Sequence, residues 1–166
     1  MEYILSKGHR RIAYIHGKDS AVTRERLVSF YRTLEEHGIE VPDEYVREGV
    51  YNDPKVAAEE TKELLKLKKT PTCILYPDDY AAFGGISAIR ETGMSVPDDI
   101  SIAGFDGIPV TEILEPPLTT YSQDTGRIGK CAAAKLIDLI ERPRVTNRDI
   151  EQITGNIREG RSVKAL

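Results

Sequence analysis

The chain alternates between short runs of β-forming apolar residues and longer segments with the apolar spacing of helices. The β-type runs cover residues 11–17, 45–46, 72–76 and 100–105, and helix-type segments separate them at 21–38, 53–67 and 79–92. This β-α-β-α-β-α-β order predicts a doubly wound α/β fold, in which helices cover both faces of a parallel sheet. Ligands of such folds collect at the carboxyl ends of the strands. Those ends are expected near residues 16–17, 49–51, 77–78 and 106–107.

After residue 107 the pattern changes. A loop with two consecutive prolines (108–117) precedes a short strand-type run (118–121), a helix-type segment (124–141) and a polar strand-type region (149–157). The regular α/β portion is therefore followed by a segment of a different kind.

The charge balance argues against a DNA-binding surface within this sequence. The 166 residues are enough for one ordinary domain with a substantial core, but the formal net charge is −4 and the isoelectric point is near 5.5. A protein that binds nucleic acid by itself usually carries a basic patch. Any contact with DNA is therefore expected from another domain.

No apolar run has the length of a signal peptide or a transmembrane helix. We therefore expect no membrane contact and a cytoplasmic location, on the assumption that Met1 lies close to the natural start.

The sequence offers no pattern typical of catalysis or metal binding. Cys73 and Cys131 are expected to be buried, unpaired thiols, because no CxxC motif or Cys/His cluster accompanies them. Residues 104–107 do not form a phosphate-binding or dinucleotide-binding loop, and no serine has a paired His/Asp pattern. The neighbouring acids Asp78 and Asp79 do not make a matched acid/base couple. No catalytic residue, metal or cofactor is expected, and the chain is not expected to be an enzyme.

Four sequence motifs occur in order along most of the chain. They are GHRRIAYI at 8–15, PTCILYPDDYAAFG at 71–84, GMSVPDDISIAGFD at 93–106 and PLTTYSQ at 117–123. Together they resemble the lactose/galactose-repressor (LacI/GalR) family of bacterial transcription regulators. In that family the last motif usually carries isoleucine or valine where this chain has Tyr121.

This resemblance implies a periplasmic-binding-protein-like type I half-domain at residues 6–120, the C-terminal subdomain of an effector-binding domain. Residues 121–166 would then be a crossover helix and strand that belong to an absent N-terminal subdomain. Family members begin with a DNA-binding domain, so the resemblance also implies a truncated chain. We expect the helix at 124–141 and the following strand to lack their own sheet. They would either pack unusually or pair with another copy of the chain.

The resemblance further implies that Arg26 binds effector oxygens. Arg26 begins the run RLVSF, which is similar to the family motif R-L-x-G-[FYW], with Ser29 in place of the usual glycine. A guanidinium offers five donors in a fixed geometry and can hold two hydroxyls or a carboxylate. From the residues alone, a surface ion pair, for example with Glu25, would be the favoured role of Arg26, because Arg24 is just as eligible to bind an effector. The motif match reverses that preference.

Three more residues match effector-binding positions of the family. Asp78 stands where the family usually has asparagine, and an ionised Asp only accepts hydrogen bonds, which suits a sugar or polyol better than a purine or an anion. Its alternative role is to cap the helix that follows. Asp106 ends the fourth strand and could accept two adjacent hydroxyls, or simply form a turn before Gly107. Gln123 either reaches the ligand or is a plain polar linker residue.

The function implied by the resemblance is that of the effector-sensing part of a repressor. It would bind a small-molecule effector of the carbohydrate class and transmit this binding to an attached DNA-binding domain in a homodimer. The small residues at 81–88 would contribute to the dimer contact or pack on their own sheet. One alternative is a periplasmic or lipid-anchored sugar-binding protein of the same fold. The other is an enzyme on a flavodoxin-like sheet, for which neither a phosphate loop nor a nucleophile is present.

Overall fold

A six-stranded sheet carries the structure, with the strands in the order β2-β1-β3-β4-β5-β6. The structure is a computed structural model that describes residues 1–142 and 150–166. Its strands are β1 (Ile12–His16), β2 (Val46–Glu48), β3 (Cys73–Leu75), β4 (Ser101–Asp106), β5 (Thr119–Ser122) and β6 (Asn156–Arg158). Among the described strands, β1 to β5 run parallel to one another, and β6 runs antiparallel to β5. The predicted doubly wound α/β fold is confirmed.

Polar side chains set where the helices begin. The α-helices are α1 (Glu2–Ser6), α2 (Ala21–Glu36), α3 (Pro54–Leu65), α4 (Asp79–Glu91) and α5 (Thr125–Glu141). Ser20 caps α2, Asp53 caps α3 and Asp78 caps α4, each by accepting backbone N–H groups of the first turn. The sequence Asp53–Pro54 by itself predicts the start of α3, with Asp53 as the cap and Pro54 in the first helical position. The structure confirms this prediction.

The sheet separates two apolar cores. Ala13 and Ile15 of β1 point into the core beneath α3 and α4, whereas Ile12 and Tyr14 point into the core beneath α1 and α2. This division follows from the alternation of side chains along a strand. Because both faces are buried, the central strands are nearly continuous apolar runs.

Two glycines let α4 pack closely inside the chain. A Cβ atom on Gly84 would lie 1.8 Å from the carbonyl oxygen of Pro54 at the start of α3. A Cβ atom on Gly85 would lie 2.0 Å from the hydroxyl of Tyr76. At least these two small residues of the segment 81–88 therefore serve packing within the chain. The contribution of α4 to a dimer stays a prediction.

The strand after the last helix joins this sheet, so the expectation that it would lack one is wrong. β6 pairs with β5, with Ile157 opposite Tyr121. The tail beyond it is also attached, because Ser162 donates to the Ile102 carbonyl at 2.8 Å and Val163 is buried in the α1–α2 core. The backbone groups along the free edge of β5 account for the pairing. The predicted strand region at 149–157 begins in residues that lie outside the described ones.

α5 differs from the rest of the described structure. Asp124 caps it, but none of its residues is buried, and Leu136, Ile137 and Ile140 are more than half exposed. Its assignment to an absent half of the domain, with the boundary at 120/121, stays a prediction. Within the described ranges, no helix is long and apolar enough to span a membrane.

The two cysteines differ in burial. Cys73 is fully buried in β3, as expected, and its burial raises the pKa of its thiol. Cys131 in α5 is only half-buried, and its Sγ atom donates to Glu151 at 3.3 Å. The expectation that both thiols would be buried is wrong for Cys131, because α5 has no core to pack against.

We expect Gly84→Ala to lower the free energy of unfolding by at least about 2 kcal/mol, because the added methyl group meets backbone atoms of α3 that cannot move aside cheaply. The measurement is urea unfolding followed by circular dichroism at the helix band. The matched control is Gly129→Ala in α5, where a Cβ would meet nothing within 4 Å. It should change stability by at most about 1 kcal/mol. Equal losses in the two variants would contradict the close α3–α4 approach.

Candidate effector-binding site

Arg26 lies over the carboxyl ends of the strands. Its Nη1 atom donates to the carbonyl oxygen of Pro77 at 2.8 Å, immediately after β3. Its guanidinium carbon is 3.7 Å from the ring centroid of Phe105 and 5.9 Å from that of Tyr51. Arg24 is instead a surface residue that forms an ion pair with Asp19 at 2.6 Å, with both side chains more than 60% exposed. The surface ion pair is therefore formed by Arg24, whereas Arg26 lies at the carboxyl ends of the parallel strands. We call this end of the sheet the ligand edge.

The aromatic rings around Arg26 are themselves held in place. Phe105 stacks on Tyr121 of the neighbouring strand, with ring centroids 5.0 Å apart and an interplanar angle of 29°. The Tyr51 hydroxyl is 3.0 Å from the hydroxyl of Thr23, and a Cβ on Gly17 would fall 2.0 Å from the Tyr51 ring. Cation–π contact with such fixed rings limits the positions open to the guanidinium.

Tyr14 reaches the same region from β1. Burial raises the pKa of Tyr14 to about 12, and the positive charge of Arg26 partly opposes this shift. The phenol is therefore neutral across the physiological range.

Asp106 and Gln123 form a pair at the ends of β4 and β5. The Nε2 atom of Gln123 donates to Oδ1 of Asp106 at 2.7 Å, and its backbone N–H donates to the Asp106 carbonyl at 3.1 Å. Asp106 is half-buried, and burial raises the pKa of its carboxyl, with the neighbouring charges of Asp79 and Asp78 adding to the shift. Among the described residues, none donates a hydrogen bond to its second carboxylate oxygen, which is therefore available to a ligand hydroxyl.

The backbone of Asp106 is strained. Its φ is +111°, a region that side chains other than glycine rarely adopt, and Gly107 follows with φ +75°. Residues held in such conformations cluster at functional sites. The strain supports a role for Asp106 beyond forming a turn.

Asp78 has both of its carboxylate oxygens occupied. Oδ1 accepts the Ala81 N–H and Oδ2 accepts the Asn52 N–H, each at 2.8 Å, and the residue is only 2% exposed. These bonds account for Asp78 as a helix cap that also ties the loop before α3. Its contact with an effector stays a prediction. The chemical argument for a sugar therefore depends on Asp106 instead.

Asp79 is a structural acid that sequence reasoning missed. It is fully buried, and its Oδ2 accepts from the N–H groups of Gly107 at 2.8 Å and Ile108 at 2.9 Å. Its Oδ1 accepts from the Thr120 hydroxyl at 2.6 Å. Burial raises the pKa of this carboxyl, and the three hydrogen bonds oppose the shift. Asp79 thereby holds the loop that presents Asp106. The two adjacent acids gave no signal of this in the sequence, because the bonds join residues 28 to 41 positions apart.

A cavity of about 170 Å³ lies on the α1–α2 side of the sheet. Its lining is mainly aromatic and aliphatic and includes Tyr14, Phe105 and Tyr121. Arg26 is the one candidate site residue in this lining. The polar pair of Asp106 and Gln123 lies outside it, so we place the candidate site on the strand ends rather than in the cavity.

A family model described as "periplasmic binding protein-like domain" matches residues 1–163. The chain belongs to this family. Among curated relatives, the HTH-type transcriptional repressor PurR of Aliivibrio salmonicida is 33% identical over 141 residues, which are 84% of this chain and 42% of that protein. The repressor CytR of Escherichia coli K12 is 32% identical over 142 residues, which are 85% of this chain and 41% of that protein. The chain thus spans less than half the length of these relatives.

Solved structures support the same conclusion. A putative LacI transcriptional regulator from Bacillus cereus subsp. cytotoxis superposes with a TM-score of 0.91 at 32% identity, over 99% of this chain and 58% of that one. The lac repressor dimer bound to operator gives a TM-score of 0.87 at 27% identity, over 99% and 48% of the two chains. A CelR–cellobiose complex gives 0.87 at 26%, over 97% and 49%. The resemblance to LacI-family regulators is confirmed.

The buried carboxylate of Asp79 leads to a prediction about two substitutions. Asp79→Ala should lower the free energy of unfolding by about 1–3 kcal/mol or more, because the donors of Gly107, Ile108 and Thr120 lose their acceptor. Asp79→Asn should retain most of that stability, since one amide oxygen can accept both N–H groups while the amide NH₂ donates to Thr120. Urea unfolding of the variants measures both changes.

The pH dependence separates the charge of Asp79 from its hydrogen bonds. Because the pKa of Asp79 is raised in the fold, the native state holds the proton more tightly than the unfolded chain does. The contribution of this carboxyl to the free energy of unfolding therefore falls as the pH rises above its pKa in the unfolded chain. Asp79→Asn lacks this loss and should gain stability relative to the unmodified chain between about pH 4 and about pH 7. The exposed Asp98→Asn serves as control. A relative loss for Asp79→Asn over this interval would show that ionised Asp79 stabilises the fold.

Proposed function

We propose that this chain is the effector-sensing part of a bacterial transcriptional repressor that binds a small sugar or polyol. The observation that carries the proposal is the pairing of a donor and an acceptor at the ligand edge of the sheet. Arg26 is fixed there by Pro77 and Phe105, and the half-exposed Asp106 carboxylate lies at the end of β4. We propose that this edge forms one wall of an effector cleft, as the resemblance to the LacI family implies.

The chemistry of the edge suits a ligand rich in hydroxyl groups. Each hydroxyl both donates and accepts, so adjacent hydroxyls can donate to Asp106 and accept from Arg26 and the amide of Gln123. A flat heterocycle would instead need a free aromatic face, and Arg26 already covers one face of Phe105. The structural relative in complex with cellobiose is consistent with a carbohydrate effector.

We propose that the cleft is completed by residues outside this sequence and that effector binding shifts the population between open and closed arrangements. We propose that an attached DNA-binding domain outside this sequence contacts the operator. The net charge of this chain is −4, which does not favour contact with DNA phosphates. The relatives named above are transcriptional repressors, and we propose that this protein likewise acts in the cytoplasm, as a homodimer, without catalysing a reaction.

The test uses the complete gene product. Titration calorimetry with a panel of monosaccharides, disaccharides and polyols should reveal a ligand that also changes the protein's affinity for DNA upstream of its own gene. Purine bases form the second arm of the panel. Binding of a purine but of no sugar would overturn the effector class. Sugar binding without any DNA binding would favour the alternative of a periplasmic or lipid-anchored receptor.

Arg26→Ala should weaken effector binding by about 10- to 100-fold, equivalent to roughly 1.5–3 kcal/mol, because a charged hydrogen-bond donor is lost from the cleft. Calorimetric titration of the complete protein with the sugar found above measures this. Arg24→Ala is the matched control, since Arg24 lies two residues away in the same helix and pairs only at the surface in the described structure. An unchanged titration for Arg26→Ala would remove Arg26 from the site.

A further inference from the structure

Tyr121 stands next to the effector site without belonging to its polar groups. The register of β4 and β5 places Phe105 directly beside Tyr121, and their rings stack. The guanidinium carbon of Arg26 is 3.7 Å from the centroid of the Phe105 ring, so Phe105 contacts both the guanidinium and the Tyr121 ring. Offset stacking and cation–π contact are each favourable and fix the planes of their members. The position of Arg26 therefore depends on Tyr121 through Phe105.

The other end of Tyr121 holds the segment that returns from α5. Its hydroxyl accepts the backbone N–H of Gly155 at 2.9 Å, just before β6. A Cβ on Gly155 would lie 2.3 Å from the Ser122 carbonyl oxygen and 2.9 Å from the Tyr121 ring, so the segment passes too close for any side chain. Tyr121 thus contacts both Phe105, on which Arg26 lies, and the backbone at Gly155.

This arrangement requires tyrosine at position 121. The motif PLTTYSQ departs here from the isoleucine or valine that the resembling family usually carries. An aliphatic side chain offers neither a ring to stack on Phe105 nor a hydroxyl to accept from Gly155. Phenylalanine would keep the first contact and lose the second.

We propose that Tyr121 is a positioning residue that couples the placement of Arg26 to the backbone at Gly155, directly before β6. The inference rests on the proposed function of Arg26. Its physical content is that the ring of Tyr121 supports Phe105 beneath the guanidinium, while its hydroxyl anchors Gly155. Such a coupling is reciprocal. A fixed Arg26 favours the hydrogen bond between Tyr121 and Gly155, and loss of that hydrogen bond makes the position of Arg26 less fixed.

The experiment follows two nuclei in this chain by NMR, without any effector. The Arg26 Nε–Hε signal reports the guanidinium through the ring current of Phe105, and the Gly155 amide reports its hydrogen bond through exchange with solvent. The variants are Tyr121→Phe and Tyr121→Ile. Tyr80→Phe is the matched control, because Tyr80 is a half-exposed tyrosine on α4, away from the stack.

In Tyr121→Phe the Gly155 amide should exchange roughly 10-fold faster, as expected for the loss of one hydrogen bond. The Arg26 signal should move only slightly and keep most of its ring-current shift, because the ring at position 121 still stacks on Phe105. In Tyr121→Ile both reporters should change, with Arg26 losing its ring-current shift. The phenylalanine variant thus rescues Arg26 and not Gly155, which a general loss of stability would not produce. Tyr80→Phe should move neither reporter.

An unmoved Arg26 signal in Tyr121→Ile would overturn the positioning role. Unchanged Gly155 exchange in Tyr121→Phe would overturn the anchor. Arg26→Ala supplies the reciprocal test, since it should alter Gly155 exchange if the two ends are coupled, and no change would refute the coupling. Because these reporters need no ligand, the result is independent of whether the effector proves to be a sugar. Failure of the effector titration would leave the NMR outcome intact.

Discussion

A parallel sheet must be covered on both faces, and this requirement organises the whole described structure. Alternate residues of β1 enter separate cores, one under α3 and α4 and the other under α1 and α2. Because each crossover returns the chain to the same end of the sheet, the carboxyl ends of the parallel strands β1 to β5 meet at one edge. The candidate site is a consequence of that geometry, since Arg26, Asp106 and Gln123 come from distant parts of the chain and share this edge.

Loops at such an edge carry backbone N–H groups that need acceptors once they are buried. Two adjacent acids from the first turn of α4 supply them: Asp78 binds the loop before α3, and Asp79 binds the loop after β4. These carboxylates are used up by the fold itself. The half-exposed Asp106 is then the carboxylate at this edge that can turn toward a ligand, and its strained backbone is held by Asp79 at the neighbouring Gly107.

The two parts of the chain beyond β5 behave differently. β6 is joined to the sheet by backbone hydrogen bonds, which depend little on side-chain identity. The tail after it adds the hydrogen bonds of the Ser162 hydroxyl and the burial of Val163. α5 can be stabilised only through its apolar face, and within the described residues that face is not buried. Tyr121 lies in β5, which pairs with β6 and is followed by α5. Its contacts with Phe105 and Gly155 are therefore made where the two parts meet the sheet.

The sequence by itself determined the fold class, the strand and helix order and the cap at Asp53, because hydrophobic period and capping chemistry are local properties. It also singled out Arg26, Asp106 and Gln123 through motif resemblance. Only the tertiary structure decided that Arg24 forms a surface ion pair, that Asp78 is occupied as a cap, that Asp79 binds the loop after β4, and that Tyr121 stacks on Phe105. It likewise decided that β6 joins this sheet. The physical reason is the same in each case: these outcomes depend on hydrogen bonds and ring contacts between residues far apart in the chain, which no local pattern encodes.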